Sequence, residues 1–326
     1  MAPVKSQCSG DYFYGDDEVL EAAIQSLESE YAAVLRRVRS IGYELPDHDK
    51  EVLLRFWWFQ YLRTEAASRR AVEMNEGVTA LAGADAAGFS MGIREAVQNA
   101  MRNFADTMDA VSDLKACLLR NKTDVPFVTS DDPAILTNRW HLESRKGRGH
   151  SFGINSAGAV LILPMTPEIA CLAYDGDVYS VSKKGKTGWS DVRRRRDVEA
   201  INQHQLLTCR SNIFLKDPAH AELVDEWFKK VVHLRPMTTH VIHYAVRDYS
   251  DGEQVRYVTV DSSEGREEEE ALIHAQAIHA TPEIWPTLLT WRRKGAVYTN
   301  GTGAGFVRRV WAIRRGGPEY WKERPR

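Results

Sequence analysis

The chain divides into a helical first third and a strand-rich remainder, and this segregation most constrains its fold. Apolar residues recur at three- and four-residue spacing before residue 120, which predicts long helices over residues 16–38, 47–74 and 90–119. After Asn121 come short apolar segments separated by glycine, proline and Asp-Gly turns, a pattern typical of strands. Segregated elements argue against a doubly wound sheet. We therefore predict an α+β fold, in which an N-terminal layer of three long helices packs on a mixed or antiparallel sheet, with further helices and a basic C-terminal extension.

The second half of the chain mixes strands and helices. Strands are predicted at residues 159–163 and 169–174, and helices at 197–210 and 217–231. Further along, the acidic run at 264–270 is predicted to begin a helix, because acidic residues favour the first turn.

The length of 326 residues permits one large domain or two smaller ones. We predict a flexible N-terminus at residues 1–15 and a main α+β domain at residues 16–231. Residues 232–326 are predicted to form a strand-rich lobe that ends in a basic aromatic tail.

The composition favours a cytoplasmic protein without a membrane partner. The N-terminus is too polar for a signal peptide, and no apolar run approaches the roughly 20 residues of a membrane span. The four cysteines are far apart and form no CxxC pair, which is typical of reduced thiols.

Two adjacent aspartates, Asp131 and Asp132, lie near the end of the segment 127–133, which begins as a buried strand and ends at Pro133. A proline follows them and cannot donate to a strand ladder, so the chain turns there. Carboxylate oxygens at a strand end suit Mg²⁺ or Mn²⁺, which makes Asp131 and Asp132 candidate metal ligands. Thr129 and Ser130 are candidate substrate contacts beside them. The alternative is an Asx turn, in which the aspartates only satisfy backbone amides.

The second predicted helix carries two polar candidates. Gln60 and Arg63 are three residues apart and therefore share one helix face. Arg63 lies among apolar residues, where an unpaired charge is costly, so we expect it to pair with Asp131 or Asp132. The pair would be either an anion-binding site or a structural link between the helices and the sheet.

Several short motifs carry a family resemblance through their order and spacing. They lie within about residues 12–227 and comprise a glutamate-rich helix at 20–38, residues 60–64, 127–133 and 161–167, and Asn202. The chain resembles the bacterial domain-of-unknown-function family 4238, and the resemblance implies no established activity. Members of that family usually open with a pair of histidines followed by tyrosine, proline and glutamine. This chain has no histidine before His48, so we expect it to lack that segment.

The C-terminal tail is basic and aromatic. Arginine and lysine alternate with tryptophan, tyrosine and phenylalanine after residue 286. Basic charge attracts phosphates and aromatic faces stack on unpaired bases, so Arg308, Arg309 and Trp311 are candidate nucleic-acid contacts. The alternative is that the tail packs against the acidic run at 264–270.

Two other motifs predict structure rather than chemistry. His240 and His243 are three residues apart on a predicted strand, so they should point to opposite faces and share no metal. The glycine-rich segment 300–305 lacks the Gly-Lys-Ser/Thr ending of a phosphate-binding loop, which favours a simple turn.

Three functional hypotheses remain open. The first is a metal-dependent hydrolase that acts on a phosphodiester or nucleotide, in a bacterial defence or toxin context. In it, Asp131 and Asp132 hold Mg²⁺ or Mn²⁺ or act as a base. Arg63 clamps a phosphate, while Gln60 and Asn202 orient substrate or water. The second is a non-catalytic module that binds nucleic acid or protein through the tail, and the third is a truncated, inactive relative.

Overall fold

The computed structural model describes residues 18–82, 90–147, 151–183, 185–248, 256–260, 270–301, 305–316 and 319–325. The predicted flexible N-terminus, 1–15, lies outside these ranges. The fold is α+β, as predicted. The helices are α1 (Glu18–Val38), α2 (Asp47–Arg63), α3 (Glu65–Ala82), α4 (Ile93–Asp106), α5 (Arg139–Glu143), α6 (Arg195–Thr208), α7 (Ala221–Val231) and α8 (Arg309–Gly316), with 3-10 turns at Pro218–His220 and Val232–Leu234.

The strands are short and numerous. They are β1 (Lys115–Asn121), β2 (Thr129–Ser130), β3 (Ile135–Thr137), β4 (Val160–Thr166), β5 (Ile169–Tyr174), β6 (Tyr179–Val181), β7 (Trp189–Val192), β8 (Ile213–Phe214), β9 (His240–Asp248), β10 (Arg256–Val260), β11 (Ala271–Ala277), β12 (Leu289–Trp291), β13 (Val297–Thr299), β14 (Phe306–Val307) and β15 (Trp321–Glu323).

A mixed sheet with the order β3-β4-β5-β1-β7 forms the centre of the molecule. Its strands pair antiparallel except for β1 and β7, which are parallel. One face carries Leu118 and Leu161, which pack with Trp57 of α2 and Met101 of α4 in a common core. The predicted layer of N-terminal helices therefore covers this face.

The opposite face of the central sheet is also covered. Leu119 and Ile162 lie in a second core with Ile201 of α6 and Trp227 of α7. Because both faces are buried, all six residues of β5 are apolar or aromatic and inaccessible, rather than alternating.

Two predicted helices differ from the structure. The predicted helix at 47–74 is interrupted at Thr64, whose backbone is extended (φ −67°, ψ 155°). Its hydroxyl accepts the Ala67 N–H at 3.1 Å, which caps the start of α3. The predicted helix at 90–119 ends at Asp106, and its last residues form β1. A short apolar run buried on both faces has no periodicity that separates helix from strand.

A second, three-stranded sheet with the order β10-β9-β11 packs on α3. The contact is close at Gly77, where an added Cβ would lie 2.9 Å from Ile242 Cγ1 of β9. The prediction that a helix begins in the acidic run and continues beyond it was wrong, since residues 271–277 form β11.

The C-terminal segment packs on the main body. Strand β12 pairs with β6, and Val297 of β13 lies in the second core. Trp140 Nε1 donates to the carbonyl of Pro325 at 2.7 Å. The domain boundary at residue 231 stays a prediction. None of the described helices combines the length and apolar composition needed to cross a membrane.

Candidate functional site

A cleft of about 420 Å³ opens between α3, the C-terminal end of α6 and the second sheet. Helix α3 supplies Arg70 and Met74 to its walls. The end of α6 and the loop after it supply His204 and Arg210, and the start of β9 supplies His240. Asp132, which precedes Pro133 in the 127–133 segment, lies on the cleft wall.

Asp132 is buried, with 3% of its surface exposed, and pairs with Arg70. Its other oxygen accepts the Thr64 hydroxyl at 3.1 Å. Its backbone N–H donates to Ser130 Oγ at 3.2 Å, and that hydroxyl donates to Gln205 Oε1 at 2.7 Å. Ser130 is thus a buried structural contact, and the carboxylate of Asp132 is held by donors from α3 and from the turn before it.

The prediction that Arg63 pairs with Asp131 or Asp132 was wrong. Arg63 pairs with Glu28 of α1, and its guanidinium carbon lies 4.8 Å from the ring centroid of Phe59. The break at Thr64 explains the difference, because α3 takes a new direction and brings Arg70 to the aspartate. Gln60 is half-buried on α2 and does not line the cleft.

Asp131 holds the loop that follows α6. Its carboxylate accepts the backbone N–H groups of Arg210, Ser211 and Asn212 at 2.8, 2.7 and 3.0 Å. The amides belong to a distant loop rather than to a local Asx turn. Within the described residues there is no group of three metal-ligating side chains around either aspartate or elsewhere. Because both carboxylates already accept protein donors, these residues do not fit a Mg²⁺ or Mn²⁺ site.

Asn202 and Thr129 make contacts that join separate segments of the fold. The side-chain oxygen of Asn202 accepts the Val128 N–H at 3.0 Å, and its amide nitrogen donates to the Pro126 carbonyl at 2.9 Å. Asn202 therefore joins α6 to the strand segment before the aspartates. Thr129 pairs with Phe214 in the small sheet of β2 and β8.

The three tail candidates differ in accessibility. Arg308 is 1% exposed, pairs with Asp113 and donates to the Ala110 carbonyl at 2.6 Å, so its guanidinium is internal. Arg309 is exposed, and Trp311 is half-buried. Most of the acidic run expected to pair with the tail lies outside the described residues, as does the middle of the segment 300–305.

Three histidines line the cleft, and burial lowers the pKa of each. His204 is fully enclosed, its pKa is lowered to about 4, and its Nε2 has no hydrogen-bond partner among the described residues. The pKa of His279 is also lowered to about 4, and its Nε2 lies 2.8 Å from the Phe152 carbonyl oxygen. His240 is half-buried, with Nδ1 3.0 Å from Thr239 Oγ1; burial and then Arg70 lower its pKa. At pH 7 these imidazoles are neutral.

Arginines give the cleft an excess of positive charge. Arg70, Arg210 and Arg235 line it, while Asp132 is the acidic residue on its walls. Arg210 pairs with Glu73 at 3.3 Å. Arg235 donates to the Cys209 carbonyl, and no acidic partner is found for it in the part of the chain that the structure describes. Such a cleft attracts a small anion.

The sequence prediction missed Arg70, Arg235 and His240 as members of one cleft. Arg70 carried a usable signal, since it follows Arg63 by two helical turns and could share its face on an unbroken helix. Arg235 and His240 come together only because the second sheet folds back onto α3, and no local motif announces that contact.

The comparisons with known proteins identify a family without adding chemistry. The family described as "Protein of unknown function (DUF4238)" matches residues 1–219, more than half of the chain. The chain belongs to this family. No curated protein and no solved structure matches it.

Proposed function

We propose that the protein is a hydrolase that acts on a small phosphodiester or a nucleotide bound in the cleft. The observation that carries the proposal is the convergence of Arg70, Arg235 and neutral imidazoles in one partly apolar cavity. A volume of about 420 Å³ is within the range of small-ligand sites, roughly 300–1,000 Å³.

The arginines supply the anion-binding end. A guanidinium presents paired N–H donors that match two phosphate oxygens, so Arg235, which has no described acidic partner, is the primary phosphate contact. Arg70 also lines the cleft, and its charge is balanced by Asp132. Asp132 is in this scheme a positioning residue for Arg70 and not a metal ligand.

His240 supplies the proton transfer. As a neutral imidazole it takes a proton from water while the water oxygen forms a bond to phosphorus. The bond from phosphorus to the leaving oxygen then breaks, and the imidazolium returns the proton to that oxygen. No oxidant, reductant or metal enters this balance.

We further propose that the protein is cytoplasmic, which agrees with the expected defence or toxin context. Support for the location comes from Cys117, Cys171 and Cys209, which are free thiols in buried positions.

A nucleic-acid-binding tail is the second candidate. Arg309, Trp321 and Lys322 are its exposed basic and aromatic groups. Arg308 is buried, and Arg314 pairs with Asp109 at 2.5 Å, so the available basic surface is smaller than the sequence predicts. Binding through the tail should weaken steeply as salt rises.

The decisive experiment measures phosphate or nucleotide release from a panel of nucleotides, and p-nitrophenolate release from bis(p-nitrophenyl) phosphate. We expect His240→Gln to lower kcat by roughly 10²–10⁴-fold, the usual contribution of a general base. The matched control is His233→Gln, an exposed histidine that does not line the cleft. Equal kcat values for the wild type and the His240 variant would rule out the assigned role, and no turnover of any substrate would leave the inactive relative as the better account.

A further inference from the structure

The second sheet carries a pair of histidines outside the cleft. Strand β9 pairs antiparallel with β11, and the register sets His274 directly opposite His243. Directly opposed residues of an antiparallel pair project from the same face, with Cβ atoms about 4.5–5.5 Å apart. The two imidazole rings lie 6.4 Å apart between centroids and within 17° of parallel.

The pair lies on the face of this sheet that points away from α3. Ile242, the neighbour of His243 in β9, contacts Gly77 of α3. Because side chains alternate along a strand, His243 projects to the other side. Leu272, two residues before His274 on β11, is 49% exposed on that same side.

The two imidazoles are available as ligands. His274 is exposed and His243 half-buried, and neither ring hydrogen-bonds or ion-pairs with a described residue. The HxxH spacing relates His243 to His240, which projects to the opposite face. The register, and not the HxxH spacing, creates the pair.

Two opposed imidazoles suit a divalent transition-metal ion that is intermediate between hard and soft. Zn²⁺ and Ni²⁺ prefer imidazole nitrogen, with Zn–N bonds of about 2.0–2.1 Å. Two nitrogens on one tetrahedral ion therefore lie about 3.4 Å apart. Opposed Cβ atoms at about 5 Å allow this separation when the side chains rotate between staggered conformers.

We propose that His243 and His274 form a two-histidine site for Zn²⁺ or a similar transition-metal ion on the outer face of the second sheet. The two imidazoles supply two of the four ligands that Zn²⁺ takes in proteins, and water fills the remaining positions. The site is independent of the cleft and of the proposed hydrolysis.

The test is isothermal titration calorimetry of the full chain with ZnCl₂ at pH 7.5, followed by NiCl₂. We expect one ion per chain for the wild type. His243→Ala and His274→Ala should each weaken binding by about tenfold or more, because each removes half of the protein ligands. The double variant should lose this binding altogether.

The matched control is His233→Ala, which removes an exposed histidine from the 3-10 turn Val232–Leu234 and should leave the affinity unchanged. Circular dichroism and a thermal melt without metal report whether each variant folds. His274 is exposed on an outer strand, so its variant decides the outcome even if His243→Ala does not fold. Wild-type chain that binds no Zn²⁺, or a double variant that binds as well as the wild type, would overturn the proposal.

Discussion

Removal of Asp132 should destabilise the fold much more than removal of a comparable surface carboxylate. In Asp132→Ala, Arg70 loses its partner and Thr64 loses the acceptor of its hydroxyl. Loss of one partner from a buried ion pair costs about 3–5 kcal/mol. The Arg70 side chain is 27% exposed, so it can regain part of its hydration. We therefore expect about 2–3 kcal/mol, at or just below the lower limit of that range.

The matched control is Glu28→Ala, which removes the partner of Arg63. That carboxylate is 44% exposed, so the expected cost is below about 1 kcal/mol. Urea unfolding followed by tryptophan fluorescence measures both variants against the wild type, with the slopes compared before midpoints are converted to free energies. Equal losses for the two variants, or a loss below about 1 kcal/mol for Asp132→Ala, would show that burial does not set the strength of the Arg70 pair.

Three further perturbations test the account of the fold. Asn202→Ala leaves the Val128 N–H and a carbonyl without partners, and should lower the urea midpoint by the equivalent of about 2–4 kcal/mol. Arg308→Ala should lower the free energy of unfolding by about 3–5 kcal/mol, since the guanidinium is buried. The adjacent Arg309 is exposed, so Arg309→Ala should change it by no more than about 0.5 kcal/mol. Similar losses for the two variants in thermal melts would contradict the assigned burial. The pKa of His204 is about 4 in the folded state and about 6.5 in the unfolded chain. Between about pH 6.5 and pH 4 the unfolded state therefore binds one proton more than the folded state, and His204 lowers the free energy of unfolding as the pH falls. The wild-type stability relative to His204→Asn should therefore fall by up to about 3 kcal/mol between pH 7 and pH 4, and a difference independent of pH would refute the shift.

Elements whose sequence pattern fits only one type of secondary structure were predicted closely. The strand at 169–174 is β5, because a short apolar run between turn residues is too brief for a helix. The last residues of the predicted third helix became β1, since burial on both faces removes the alternation that identifies a strand.

The candidate site was predicted only in part. Asp132 lies on the cleft, as an acidic residue at a strand end should. Its partner depends on the break at Thr64, a residue with no proline or glycine beside it to announce a turn. Arg235 and His240 reach the cleft through contacts between distant segments, which spacing along the chain does not encode.

Nucleotide binding is the most direct test of the proposed cleft. Isothermal titration calorimetry with mononucleotides should give one binding event for the wild type, weakened by about tenfold or more in Arg235→Gln, because a charged hydrogen bond contributes about 1.5–3 kcal/mol. The matched control, Arg39→Gln, removes an exposed arginine that does not line the cleft and should bind as the wild type does. Binding of equal strength in the Arg235 and Arg39 variants, or no binding by the wild type, would contradict the assignment of the cleft as a phosphate site.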